Sequence, residues 1–135
     1  MANKCKPDDL FDEISAVLNA YADDVIDVVK ASVDQIAKQT VAEIRENARQ
    51  AFPEGSGYYA KSWTSTVDRS GAKRGKYGRV LYAKGSGGSI AHLLEHGHAR
   101  VDGGYVQGRP HIAPAEKHAE ERFPQLVRDN LTKMR

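Results

Sequence analysis

From residue 8 to residue 52 apolar side chains return at spacings of three and four, and this run constrains the fold more than any other feature. The positions are Leu10, Phe11, Ile14, Val17, Leu18, Tyr21, Val25, Val28, Val29, Val33, Ile36, Thr40, Val41, Ile44 and Ala48. Such spacing keeps one stripe of a helix apolar. Pro7 before Asp8 and Asp9 supplies a start, because acids favour the positive end of the helix dipole. Phe52-Pro53-Glu54-Gly55 supplies the stop. A helix of that span would be about 65 Å long at 1.5 Å per residue. That is long for so small a domain. It must bend, break near Ala22-Asp23-Asp24, or project onto a neighbour, and periodicity sustained without internal caps argues for self-association.

The character of the chain changes at Gly55. Lys61–Arg69 and Gly78–Ala83 are rich in β-branched and aromatic residues and predict two strands. The basic loop 70–76 joins them. Gly85–Ser89 predicts a flexible connector, and Ile90–His96 about two helical turns ended by Gly97. Asp102-Gly103-Gly104 predicts a turn and Tyr105-Val106-Gln107 a short strand. Pro114 opens a last helix, Ala115–Met134, in which Pro124 predicts a kink or restart. The expected class is α+β: a long N-terminal helix, a small antiparallel sheet, a short helix, and a C-terminal helix packed on the sheet. With 135 residues this is one domain. Its expected parts are a flexible tail at 1–7, helix at 8–52, sheet with short helix at 55–113, and helix at 114–135.

Charge is distributed unevenly although the net is only +2. Up to residue 50 ten acids outnumber six bases; between 51 and 110 nine bases face Glu54, Asp68, Glu95 and Asp102. That separation suits head-to-tail contacts between identical subunits, an arm for nucleic acid, or simply two solvated surfaces. The single Cys5 excludes an internal disulfide framework and fits a reducing compartment. The first residues lack an apolar core, so no secretory signal is expected. No apolar run approaches the roughly 18 residues of a membrane span.

Two patterns raise the question of chemistry. His92-Leu93-Leu94-Glu95-His96 matches H-x-x-E-H, in which two histidines one turn apart hold zinc and the glutamate activates water. A third ligand would have to come from His98, His111, His118 or a carboxylate, and nothing in the sequence positions one. Histidines in a polar cluster or at an interface explain the same letters. Gly71–Tyr77 looks like a phosphate loop but places Tyr77 where Ser or Thr must meet magnesium. As a nucleic-acid patch, Lys73, Arg74, Lys76 and Arg79 beside Tyr77 offer charge and a stacking ring. A solvated hairpin tip is the favoured reading of the same residues. Cys5 has no histidine near it in sequence to make it a nucleophile. Trp63 and Tyr58-Tyr59 read as core or interface anchors.

Several of these segments together resemble the tail-component family of siphophages, the gene-ten type of the lambdoid phages. Gly57-Tyr58-Tyr59-Ala60-Lys61-Ser62 looks like the family's glycine-led entry into a strand, and Val80-Leu81-Tyr82-Ala83 like its strand ending in Tyr-Ala. Leu94-Glu95-His96-Gly97 and Arg109-Pro110-His111-Ile112-Ala113-Pro114-Ala115-Glu116 resemble its signature. The resemblance covers roughly residues 55–128, with the N-terminal helix agreeing in type. Histidine stands at 96 and 111 where many members have an aromatic ring, which implies a packing or hydrogen-bonding position rather than metal. Read physically, Glu95 can pair with Arg100 or Arg109 or with a neighbouring subunit. Pro110 and Pro114 preset a rigid elbow around His111-Ile112-Ala113.

The resemblance implies a structural virion protein, assembled in the bacterial cytoplasm, that completes the tail or joins it to the head. It implies a homo-oligomer, a six-fold ring, with the phage connector or adaptor and tail-tube proteins as partners and DNA in the lumen. It implies no enzyme activity, cofactor, metal or membrane. The expected interface residues are Trp63, Lys73, Arg74, Lys76, Arg79, Glu95, His96, Arg100, Arg109 and His111. The competing readings are a small zinc-dependent hydrolase using residues 92–96 and a small DNA-binding protein.

Overall fold

The computed structural model describes residues 7–72 and 76–134, and it is α+β. The apolar periodicity becomes one unbroken helix, α1, over Pro7–Ala51. It neither breaks nor restarts near Ala22-Asp23-Asp24, where no Pro or Gly interrupts the helix. The helix projects instead. Its buried stripe begins at Ser32 and runs through Ala37, Val41, Ile44 and Ala48. Toward the N-terminus the same periodicity continues in solvent, with Phe11, Val17, Leu18 and Tyr21 all more than 60% exposed.

After α1 the chain turns at Phe52–Gly57 into α2, Tyr58–Ser62, a single helical turn. Lys61 and Ser62, expected to begin a strand, belong to this turn. The Ser62 hydroxyl donates to the Tyr59 carbonyl (2.5 Å), which bends the backbone away from an extended path. Strand β1, Trp63–Val67, then pairs antiparallel with β2, Arg79–Ala83, in the register Trp63↔Ala83 through Val67↔Arg79. A four-residue helical turn, α3 (Arg69–Ala72), stands where a loop was expected. Asp68 starts it, its carboxylate accepting from the backbone and hydroxyl of Ser70. Lys73, Arg74 and Gly75 lie outside the described residues, as does Cys5.

The flexible connector expected at Gly85–Ser89 is the first turn of α4, Ser86–His96. Its glycines serve close packing rather than flexibility: a Cβ on Gly87 would come within 2.6 Å of the Ser62 hydroxyl. Strand β3 (Gly97–Ala99) pairs with the expected strand β4 (Tyr105–Gln107) as a second small sheet. The last helix, α5, spans Ala113–Thr132 and passes Pro124 without a restart. It finds its main partner in α1, meeting the hairpin through the core around Ala115. Asn130 donates to Ser32 (2.9 Å) at one end of this contact, and His118 and Arg122 bind Glu43 nearer the other.

One compact core results, formed by Val41, Ile44, Trp63, Ala83 and Ala115, with Tyr59, Leu81, Ala91 and Ile112 packed around it. Arg45 crosses from α1 to bond the Trp63 carbonyl through two nitrogens (2.9 and 2.6 Å), fixing the hairpin to the helix. Among the described residues no helix is long and apolar enough to cross a membrane. The uneven support of α1 is measurable. Ile44→Ala, at 2% exposure, should cost about 3 kcal/mol in urea unfolding. Val17→Ser, in the projecting half, should change stability by less than about 0.5 kcal/mol.

Candidate functional site

The segment that carries the sequence signature folds into a joint between α4, the second sheet and α5. Gly97 ends α4 with φ 86°, its N–H donating to the Leu93 carbonyl. A side chain there would also strike the Val106 carbonyl at 2.5 Å, so glycine is required twice over. The chain leaves along β3, turns at Val101–Gly103, and returns along β4. Arg109 then donates its N–H to the Leu94 carbonyl (2.8 Å), which brings Pro110 and His111 back over the end of α4.

Glu95 is the centre of this joint. Its side chain is 5% exposed. One carboxylate oxygen accepts from the N–H groups of His111 and Ile112, both at 2.8 Å, and the other from Ala113 at 3.0 Å. These are the unpaired donors at the start of α5, where the helix dipole favours negative charge. Ile112, the residue at the cap position, has no polar side chain to offer, so a carboxylate from another helix takes that role. Burial alone would raise the carboxyl's pKa. The three backbone N–H groups and His111 outweigh that, and hold it below the ordinary 4.5. The expected pairing of Glu95 with Arg100 or Arg109 does not occur. The helix end supplies three directed donors inside the fold, whereas Arg100 meets Asp102 at 3.6 Å and Arg109 meets Glu54 at 2.7 Å, both on the surface.

His111 is fully buried and joins α1, α2 and α4. Its Nδ1 faces the Arg109 carbonyl (2.8 Å) and Glu95 (3.1 Å), both acceptors, so that nitrogen carries the hydrogen. Its Nε2 lies 2.6 Å from the Tyr59 hydroxyl, within hydrogen-bonding distance. Phe52 and Tyr59 meet the imidazole edge-on at 5.3 and 5.4 Å, the packing of an aromatic ring. Asn47 holds the His111 carbonyl from α1 (3.2 Å). Burial pushes the Tyr59 phenol above its ordinary value.

The described side chains do not assemble the arrangement that H-x-x-E-H suggests. The glutamate that would activate water is saturated by backbone donors, while His92 and His96 lie exposed on α4. Among the described residues no group of three or more His, Cys, Asp or Glu could hold a metal ion. The basic patch is likewise only partly available. Tyr77 donates to Asp34 of α1 (2.5 Å), and the Arg79 guanidinium binds the same carboxylate (2.7 Å). The Tyr77 hydroxyl and then Arg79 hold Asp34 below the ordinary carboxylate range. Lys30 lies over the Tyr77 ring at 5.6 Å. Lys76 is exposed.

Of the expected interface residues, Trp63, Glu95 and His111 are thus interior and organise the chain itself. Lys76, His96, Arg100 and Arg109 face solvent, and Arg79 is half-buried. The partners sequence reasoning missed are Asn47, Phe52 and Tyr59, which grip His111 from more than 50 residues away. Only the apolar character of Phe52 and Tyr59 hinted at them.

A family model described as "Bacteriophage HK97-gp10, putative tail-component" matches residues 12–97. The match takes in most of α1, both strands of the hairpin and all of α4. It ends at Gly97, short of the elbow at 109–116. No curated protein and no solved structure matches the chain.

The joint yields a direct test. Glu95→Ala leaves three N–H groups at the start of α5 without their acceptor, that of His111 buried, and should cost about 3 kcal/mol in urea unfolding followed by circular dichroism. Because the folded carboxyl titrates below its unfolded value of 4.5, its contribution is complete above that pH. It fades as pH falls through the lower folded value. Glu95→Gln should therefore flatten the acid limb of the stability curve.

Proposed function

Since the chain belongs to the HK97-gp10 family of bacteriophage tail components, we propose that it is a structural subunit that completes the tail or joins it to the head. The observation that carries this reading is the family match over residues 12–97, which covers the long helix and the hairpin. The burial of the signature glutamate in a structural joint agrees with it. The protein works by surface complementarity rather than turnover, within the virion, after assembly in the bacterial cytoplasm.

Tail tubes and connectors have rotational symmetry, and a subunit that bridges them forms a ring. Six copies, closed by heterologous contacts, match the symmetry of a tail. Its partners on the two faces are the connector or adaptor and the tail-tube protein. Lys76, His96, Arg100 and Arg109 are exposed and available to such contacts, or to the DNA in the lumen. Lys73 and Arg74 would extend the same basic segment. The rigid elbow supports this work, because α5 is held to the body by a buried carboxylate and not by a loop.

Deleting the gene from the phage tests the reading. Lysates should then contain filled heads and tails that are unattached or incompletely terminated, and supplying the protein should restore joined particles. Heads firmly attached to complete tails in its absence would contradict it.

A further inference from the structure

The projecting half of α1 has an apolar face that nothing among the described residues covers. The end of α5 reaches only the level of Tyr21 and Val25, where Leu131, Thr132 and Met134 line a shallow hollow with them. Beyond it lie Leu10, Phe11, Ile14, Val17 and Leu18, each at least half exposed. Residues 7–24 extend about 27 Å as a helix. A monomer rarely spends so much exposed apolar surface without a partner.

Charge identifies the partner. Between Pro7 and Val29 the sequence holds seven acids and no Lys, Arg or His. Packing two such arms together would set acid against acid. The body of the same chain carries the opposite sign. Lys61, Lys76 and Lys84 are exposed around the β1–β2 hairpin and form no ion pair among the described residues.

The hairpin also offers an apolar seat. One face packs Trp63, Leu81 and Ala83 toward α1. The other carries the cross-strand pairs Thr64↔Tyr82 and Thr66↔Val80, with Tyr82 and Val80 at 39% and 45% exposure. A two-stranded sheet with one open face gains from being covered. We propose that the acidic arm of one copy docks on the open, base-flanked face of the β1–β2 hairpin of the next copy. The contact is heterologous, so repetition closes a ring when the rotation between neighbours is a whole fraction of a turn. It rests on the reading of this chain as a ring-forming tail subunit, and it names that ring's contact.

The test uses the full chain and analytical ultracentrifugation at several salt concentrations. The wild type should associate at low salt and dissociate as salt screens the opposed charges. One variant carries Asp12→Lys, Asp23→Lys and Asp24→Lys; a second carries Lys61→Glu, Lys76→Glu and Lys84→Glu. Each should stay helical and associate more than about tenfold more weakly, and a chain carrying both sets should recover association. A wild type that remains monomeric would overturn the contact, as would variants that associate like the wild type. Association that strengthens with salt points to arm-on-arm packing and overturns it too. A phage that joins heads to tails without the protein removes the function and leaves this contact standing. A ring insensitive to both reversals removes the contact alone.

Discussion

The Glu95 carboxylate, buried at the start of α5, is the interaction on which the remaining architecture depends. A helix start presents donors with no partner of their own, and burying it unpaired would cost several kcal/mol. Glu95 meets three of them at once. That fixes α5 relative to α4, and through Ala115 and Asn130 it lays α5 along α1. His111, held against the same carboxylate, ties in α2 and the end of α1. The hairpin, α4 and the elbow thereby become one rigid body around a small core.

Rigidity at one end makes the exposure at the other informative. The body buries α1 from Ser32 to Ala48 and leaves the preceding stripe uncovered. A core of this size cannot pack a helix of 45 residues. The excess length is an arm with an exposed apolar stripe, and its charged residues from Pro7 to Val29 are all acidic, which is what the proposed contact sets against the hairpin. A rigid body with a long arm is a shape suited to linking copies in a ring.

Much of this was legible in the residues. Period three-and-four spacing gave α1 to within a residue at each end, and Gly97 marked the stop of α4 because only glycine tolerates its backbone. β-branched residues marked both hairpin strands. The errors have common physical causes. Gly85–Ser89 reads as a flexible linker from composition, yet tertiary packing demands small residues in the first turn of α4. Glu95 was expected to seek an arginine, since charge pairing is visible in sequence and an unpaired helix end is not. Tyr59 with His111 and Asp34 with Tyr77 and Arg79 join residues 43–52 positions apart, and no local pattern announces them.

Native-state hydrogen exchange at the Ile112 and Ala113 amides tests the central claim most directly. If the Glu95 carboxylate anchors the joint, both amides exchange only on global unfolding, as slowly as the core amides around Ile44, and Glu95→Ala releases them selectively. Exchange near the rate of an unstructured peptide in the wild type would show that the joint is not formed, and would contradict the account.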